Sequence, residues 1–131
     1  MNKFIGIGRL TNNVELKETN NGKYYIKNSI AIKSDFKNSD GQYDTEFVNI
    51  MVWGKSAEIL AKYSFKGMLI AVEGRLVNLT YDKNDGTKGY ITEIICEKVK
   101  LLESTKKVKD DDFKLYSDLQ NNTDEDDNYL E

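Results

Sequence analysis

The chain has 131 residues, with no Pro, no His, one Cys and 39% hydrophobic residues, which suits a single domain and is too short for a multi-domain enzyme. Without His it cannot form a Ser-His-Asp triad, a Cys-His pair or the commonest kind of zinc site. The net charge is -3, but its distribution is uneven: residues 1–103 hold 15 basic and 13 acidic residues, whereas residues 104–131 hold 4 and 9. A mildly basic body therefore precedes an acidic tail.

The sequence favours a cytoplasmic protein with no membrane partner. The start of the chain lacks the basic and apolar pattern of a secretory signal, and the single Cys96 cannot form an internal disulfide. The longest apolar runs, such as Met68–Val72, fall far below the roughly 20 residues that cross a bilayer. Within the run ITEIIC, Cys96 is interpreted as a small buried hydrophobic residue and not as a reactive thiol.

The first half of the body reads as three strands. Phe4–Leu10 is a short β-prone run, and residues 24–33 place Ile26, Ile30 and Ile32 on one parity. Asn20, Asn21 and Gly22 predict the turn that separates these strands. Residues 45–53 form the third strand.

Both faces of that third strand are apolar. Val48, Ile50 and Val52 share one face, while Phe47, Met51 and Trp53 share the other. Either the strand is buried on both sides, or the aromatic face is kept for a ligand, because a small β domain seldom covers both faces of a strand.

The second half predicts one helix and two strands. Ser56 is the expected cap of the helix SAEILAKY, which ends before Lys66 and Gly67. A strand over residues 68–81 contains Gly74, which indicates a bulge or sharp coil, and a polar loop over residues 82–89 leads into the last strand at residues 90–102. The order predicts an all-β fold: a five-stranded Greek-key OB-fold barrel over residues 1–103, with its helix between the third and fourth strands.

Beyond Glu103 the hydrophobic periodicity stops, so residues 104–131 are expected to form a disordered acidic tail. Its acidic clusters do not have the spacing of a calcium loop, and the body segment DKNDGT lacks the fifth and twelfth ligands of such a loop. No metal, no cofactor and no enzymatic activity are expected.

Several short segments, in order and at matching spacing, resemble the bacterial and phage single-stranded DNA-binding proteins over nearly all of residues 1–103. No single segment is specific, but their combination is. They are GRLT at residues 8–11, Glu15, Gly22, TEF at 45–47, WGKSAE at 53–58, KG at 66–67, VEGRL at 72–76, TE at 92–93 and LLE at 101–103.

The resemblance implies sequence-nonspecific binding of single-stranded DNA by base stacking and phosphate contacts, because every base offers a π face to an aromatic ring. The family's stacking positions fall on four aromatic residues: Phe36, Phe47, Trp53 and Tyr81. For Phe47 and Trp53 the alternative is a ring packed in the barrel core. Tyr43 and Tyr90 either extend this stacking surface or lie at its rim.

Basic residues near the aromatic segments are the candidate phosphate contacts, since their binding to phosphate releases counterions. They are Lys33, Lys37, Lys55, Lys66, Lys83 and Lys88. Val77, Leu79 and Thr80 stand where basic residues are common in the family, so weaker phosphate contact is expected there. Arg75 is either a ligand contact or a surface or interface residue.

The family's acidic tail ends in a Pro-Phe tip that docks replication, repair and recombination proteins, whereas this chain ends DEDDNYLE. The candidate partner-binding residues in the tail are Asp124, Glu125, Asp126, Asp127, Tyr129 and Leu130. The tail could also compete for the lysine-lined groove at low salt.

The resemblance further implies a homotetramer that protects single-stranded DNA in replication, recombination and repair. Three alternatives remain open at this point: an RNA-binding or primosomal OB module, a protein-interaction adaptor that has lost DNA binding, and a nuclease. The nuclease would require clustered carboxylates on ordered elements, and the acidic residues concentrate in the tail.

Overall fold

A computed structural model describes residues 1–104 of the chain. It contains six strands and one helix in the order β1 (Phe4–Leu10), β2 (Lys17–Glu18), β3 (Tyr24–Lys37), β4 (Tyr43–Trp53), α1 (Gly54–Tyr63), β5 (Leu69–Asp82) and β6 (Lys88–Leu101). The predicted elements are confirmed in type and order. The two-residue β2, which pairs with Tyr24 and Tyr25 of β3, was not predicted from the sequence.

The sheet closes into a barrel. Its strand order is β1-β5-β6-β4-β3-β2, and an additional pairing of β1 with β3 through Arg9 and Leu10 completes the circle. The β4–β6 pairing is parallel and the others are antiparallel. Five long strands with α1 between the third and fourth of them form the expected OB-fold.

Alternating side chains fill the interior of this barrel. Ile26 and Ile30 of β3, Val52 of β4 and Ile70 of β5 are completely buried, with Ile94 of β6 beside them. Ala57 and Leu60 of α1 pack into the same cluster, so the helix closes one end of the barrel. Because successive residues of a strand point to opposite faces, this inner set leaves the alternate residues on the outside.

The helix begins earlier than the sequence indicates. It starts at Gly54, directly after β4, and Trp53 is its N-cap without a side-chain hydrogen bond, so the predicted cap at Ser56 is wrong. Gly54 has a φ of 67°, a left-handed conformation that a residue with a side chain rarely adopts. This conformation lets the chain pass from strand to helix without a linker.

The irregularity predicted at Gly74 is a bulge in the β5–β6 pairing. Glu73 pairs with Lys98 but Gly74 pairs with Cys96, so the extra residue is Glu97 on β6. A side chain at Gly74 would overlap the carbonyl oxygen of Ile95, which explains the glycine. The bulge changes which residues of β6 face inward: Ile94 and Cys96 before it, Val99 after it.

Candidate nucleic-acid interface

The outward faces of β3 and β4 bring two aromatic rings together at one end of the pair. Tyr25 lies directly opposite Trp53, and their ring centroids are 5.1 Å apart at an interplanar angle of 38°. The neighbouring pair, Ile26 and Val52, points into the core, so alternation turns Tyr25 and Trp53 outward. Trp53 keeps 37% of its surface exposed.

Phe47 lies further along the same face and is 70% exposed. Its partner on β3 is Ala31, whose small side chain leaves the ring uncovered. The ring of Phe47 is therefore outside the barrel core and open to a ligand, as is that of Trp53.

Two lysines and a tyrosine meet beyond Phe47. The Nζ atoms of Lys33 and Lys37 lie 4.8 Å and 5.9 Å from the ring centroid of Tyr43, within the range of cation–π attraction. The pairing of β3 with β4 shifts between Lys33 and Lys37, and Phe36 lies in this irregular stretch with 81% of its surface exposed. The structure thus places Phe36 near two of the predicted phosphate contacts.

A glycine on the opposite strand leaves room for the Tyr81 ring. Its partner across the β5–β6 hairpin is Gly89, and a side chain at Gly89 would overlap the Tyr81 ring. The ring lies across the glycine and stays 51% exposed. At the tip of the hairpin the pKa of Asp85 is lowered, because its carboxylate accepts hydrogen bonds from the hydroxyl and backbone N–H of Thr87.

The strand register joins these rings into one surface. Asn49 of β4 pairs with Glu93 of β6, which in turn pairs with Val77 of β5. Residues paired in register point to the same face of a sheet. Phe47 and Trp53 alternate in step with Asn49, and Tyr81 alternates in step with Val77, so all three rings point outward on the same side as Glu93. We call this outward surface of β3, β4, β6 and β5, with Tyr25, Phe47, Trp53 and Tyr81 on it, the ring face.

The remaining predicted lysines are more widely spread. Lys55 lies in the first turn of α1, just after Trp53, and Lys83 lies in the hairpin loop close to Tyr81. Lys66 lies in the turn between α1 and β5, at the opposite end of β5 from Tyr81. Lys88 pairs with Asp82, and alternation turns both away from the ring face.

Alternation also places Tyr43 and Tyr90, whose position relative to the stacking surface the sequence did not decide, on different sides. Tyr43 has the parity of Phe47 and lies beside the ring face, whereas Tyr90 pairs with Thr80 and points to the other side of the hairpin. Sequence reasoning missed Tyr25 and Lys27, which lie opposite Trp53 and Met51. The signal was present, because both residues alternate with the buried Ile26.

A cavity of about 320 Å³ opens beside Trp53. Its lining includes two basic residues, Lys23 and Arg75, and one acidic residue, Glu97, together with Ile95. Burial raises the pKa of Cys96 to about 12, so the thiol is protonated at neutral pH. The cavity places Arg75 next to the ring face rather than at a separate surface.

Neither a metal cluster nor a membrane span is found in the part of the chain that the structure describes. No three Cys, Asp or Glu side chains of residues 1–104 come together as metal ligands. Within the same residues, no helix has the length and apolar character to cross a bilayer.

Known protein families include one that matches nearly all of the described residues. A sequence model described as "Single-strand binding protein family" matches residues 1–102. The chain belongs to this family. Its bacterial relatives include single-stranded DNA-binding protein 1 of Streptococcus pyogenes, 43% identical over 103 residues that cover 79% of this chain and 78% of that protein. Single-stranded DNA-binding protein 2 of Clostridium acetobutylicum is 46% identical over 104 residues, covering 79% and 77%.

Solved structures of single-strand binding proteins show the same barrel. The Plasmodium falciparum protein, described in complex with single-stranded DNA, matches with a TM-score of 0.71 and 25% identity, covering 79% of this chain and 96% of that one. A mitochondrial single-stranded DNA-binding protein from S. cerevisiae matches with a TM-score of 0.62 and 26% identity over the same shares. The predicted tail site, residues 124–130, lies outside the residues that the structure describes.

Proposed function

We propose that this chain binds single-stranded DNA without reading its sequence and protects it during replication, recombination and repair. The observation that carries the proposal is the ring face, where Phe47, Trp53 and Tyr81 share one outward surface of a closed barrel. Unpaired bases stack on exposed rings, whereas bases inside a duplex already stack on each other. The named single-stranded DNA-binding relatives and the DNA complex of the P. falciparum protein support the same ligand.

In this proposal the strand lies along the ring face with its phosphates against lysines at the edge. Lys33 and Lys37 are held beside Tyr43 next to the β3–β4 hairpin, and Lys83 lies two residues after Tyr81 in the β5–β6 hairpin, so cations stand on both sides of the surface at the hairpin end of its strands. Lys55 lies just after Trp53 and would contact a phosphate of the DNA strand next to that ring. Such binding is noncatalytic: coating the open strand lowers its free energy relative to the duplex.

We also propose that the protein is a homotetramer built through β1. This strand pairs with β3 only at Arg9 and Leu10, which leaves one edge of its earlier residues unpaired within the described chain. A second copy could pair with this open edge through backbone hydrogen bonds, and Ile5 and Ile7 on the outward face, 72% and 54% exposed, could pack against a further copy. Light scattering should give the mass of four chains, and a monomer would refute this part of the proposal.

The mildly basic body and the acidic tail have different proposed roles. Residues 1–103 form the DNA-binding unit, and the acidic residues 104–131 would dock basic surfaces of replication or recombination proteins in the cytoplasm.

Trp53 is the only tryptophan, so its fluorescence reports binding at the ring face directly. We expect oligo-dT to quench it and the logarithm of the affinity to fall linearly with the logarithm of the salt concentration. A duplex of equal length and an RNA oligomer are the controls: the duplex should bind far more weakly, and tighter binding of RNA would favour an RNA-binding role. Unchanged fluorescence together with no binding by a second method would refute the proposal.

A further inference from the structure

The cavity beside Trp53 is lined by two basic residues that come from different parts of the barrel. Lys23 lies in the turn before β3, and Arg75 lies on β5 directly after the bulge at Gly74. Within residues 1–104, neither the ammonium group of Lys23 nor the guanidinium group of Arg75 forms a salt bridge or a hydrogen bond. Because two unpaired cations line one cavity, an anion that enters it would be attracted by both.

Both side chains extend from backbone that is held in place. In the β2–β3 turn, the backbone N–H of Lys23 donates to Oγ1 of Thr19 at 3.1 Å, and the backbone N–H of Thr19 donates to the carbonyl oxygen of Lys23 at 2.8 Å. Arg75 pairs with Ile95 of β6 and has the same outward parity as Tyr81 further along β5. A site whose backbone is already ordered loses less conformational entropy when a ligand binds.

The lining also contains one carboxylate, that of Glu97. Oε2 of Glu97 lies 3.6 Å from Nζ of Lys3, which also lies 3.0 Å from Oε1 of Glu73. The ammonium group of Lys3 partly offsets the charge of Glu97, so the charges around the cavity favour an anion over a cation. Ser56, at the start of α1, adds a hydroxyl group that can donate a hydrogen bond to such an anion.

The position of the cavity indicates which anion it would meet. Trp53 is 37% exposed at the end of the ring face that lies away from the β3–β4 and β5–β6 hairpins. A base stacked on this ring has its own phosphates only one sugar away from the base. Lys33, Lys37 and Lys83 lie at the hairpin end of the strands, on the far side of the ring face from those phosphates.

The size of the cavity also suits this part of a nucleotide. Its volume of about 320 Å³ lies at the lower end of the range for small-ligand sites, about 300 to 1,000 Å³. A phosphate group alone would not fill it, whereas a phosphate together with its sugar occupies more of the space. The apolar side chain of Ile95 in the lining can contact the sugar.

We propose that the cavity between Lys23 and Arg75 binds a backbone phosphate of the nucleotide whose base stacks on Trp53. The DNA strand then leaves the ring face between the β2–β3 turn and β5. The inference rests on the proposed single-stranded DNA binding and adds a phosphate site at the end of the ring face opposite the hairpins. Lys23 is absent from the phosphate contacts that the sequence predicts, and this site assigns Arg75 to the ligand.

The test compares the full-length protein with the double variant Lys23→Gln, Arg75→Gln in titrations with oligo-dT at several salt concentrations. Binding is followed by Trp53 fluorescence and by the anisotropy of a labelled oligomer, which does not depend on the tryptophan. At about 50 mM salt the dissociation constant of the double variant should rise about tenfold, as expected for one charge-assisted contact. The plot of log affinity against log salt concentration should become shallower by about 0.7, the contribution of one phosphate contact on a single strand.

Lys62→Gln is the matched control for Lys23→Gln alone. Lys62 lies in the last turn of α1, outside the cavity lining, with its Nζ atom 5.4 Å from the ring centroid of Tyr63. Its substitution removes the same charge, but it should leave the salt dependence of oligo-dT binding unchanged, whereas Lys23→Gln should weaken this dependence. Thermal unfolding of each variant checks that the barrel is intact.

The outcomes separate the inference from its alternatives. Weaker binding with a shallower salt dependence in the double variant, and not in Lys62→Gln, supports the phosphate site. An unchanged salt dependence overturns it even if affinity falls, because a role confined to holding the Trp53 ring would lower affinity equally at every salt concentration. An equal effect of Lys62→Gln, or a loss seen only with oligomers that carry a 5′-phosphate, also overturns it, since the first indicates a long-range charge effect and the second a site for strand ends. Failure of the unmodified protein to bind any oligomer would refute the proposed function on which the inference rests.

Discussion

Replacing Phe47 with Ala should weaken the binding of single-stranded DNA while leaving the stability of the barrel almost unchanged. The ring is 70% exposed and faces the small Ala31, so little buried surface is lost and the free energy of unfolding should change by less than about 0.5 kcal/mol. Base stacking on an aromatic ring contributes about 1 to 3 kcal/mol per base. The dissociation constant for oligo-dT should therefore rise about 5- to 150-fold.

The assay uses Trp53 as a reporter that the substitution leaves in place, with denaturant unfolding measured on the same samples. Ile50→Ala is the matched comparison, since Ile50 lies on the same strand, points inward and is completely buried. It should cost about 2 to 5 kcal/mol of stability through the cavity it leaves. If Phe47→Ala destabilises the protein as much as Ile50→Ala, or leaves oligo-dT affinity unchanged, the assignment of the ring to the ligand is wrong.

Two further predictions concern neighbours of the rings. Gly89→Ala should weaken oligo-dT binding to the level of Tyr81→Ala, because the added methyl group displaces the Tyr81 ring. The double variant should bind oligo-dT with the same affinity as Tyr81→Ala. Unchanged oligo-dT affinity of Gly89→Ala would contradict this prediction. Burial raises the folded pKa of Cys96 from 9.0 to about 12, so the buried neutral thiol contributes stability below pH 9 that is lost as the pH rises toward 12. The stability difference between the unmodified chain and Cys96→Ala, measured by denaturant unfolding, should narrow over that interval, and a constant difference would contradict the raised pKa.

Much of the barrel could be predicted because its signal is local. The alternation of Ile26 and Ile30, and of Ile50 and Val52, fixes which residues face inward, and the same alternation turns Phe47 outward. The far ends of β3 and β4 were underestimated because residues 34–37 and 43–44 have no buried face and therefore no apolar period. Their strand structure depends on pairing with each other.

The features that escaped prediction depend on contacts between distant segments. Tyr25 meets Trp53 only because β3 and β4 pair in one register, and a shift by one residue would turn either ring inward. The burial of Glu93 requires neighbours from both β4 and β5. Sequence alternation gives its face, but it does not reveal that the outward carboxylate is covered.

The bulge at Gly74 and Glu97 explains how one strand serves two surfaces. On the hairpin side of the bulge, β6 turns Glu93 and Ile95 outward, onto the ring face. On the other side the extra residue reverses the parity, so Lys98 and Lys100 pair with Glu73 and Ala71 and face outward together with β1. Without that residue Val99 would leave the core and a lysine would enter it, because a one-residue slip exchanges the two faces of a strand. The insertion thus keeps the barrel filled while giving its two ends different outer surfaces, one lined with rings and one with paired charges and the exposed isoleucines of β1.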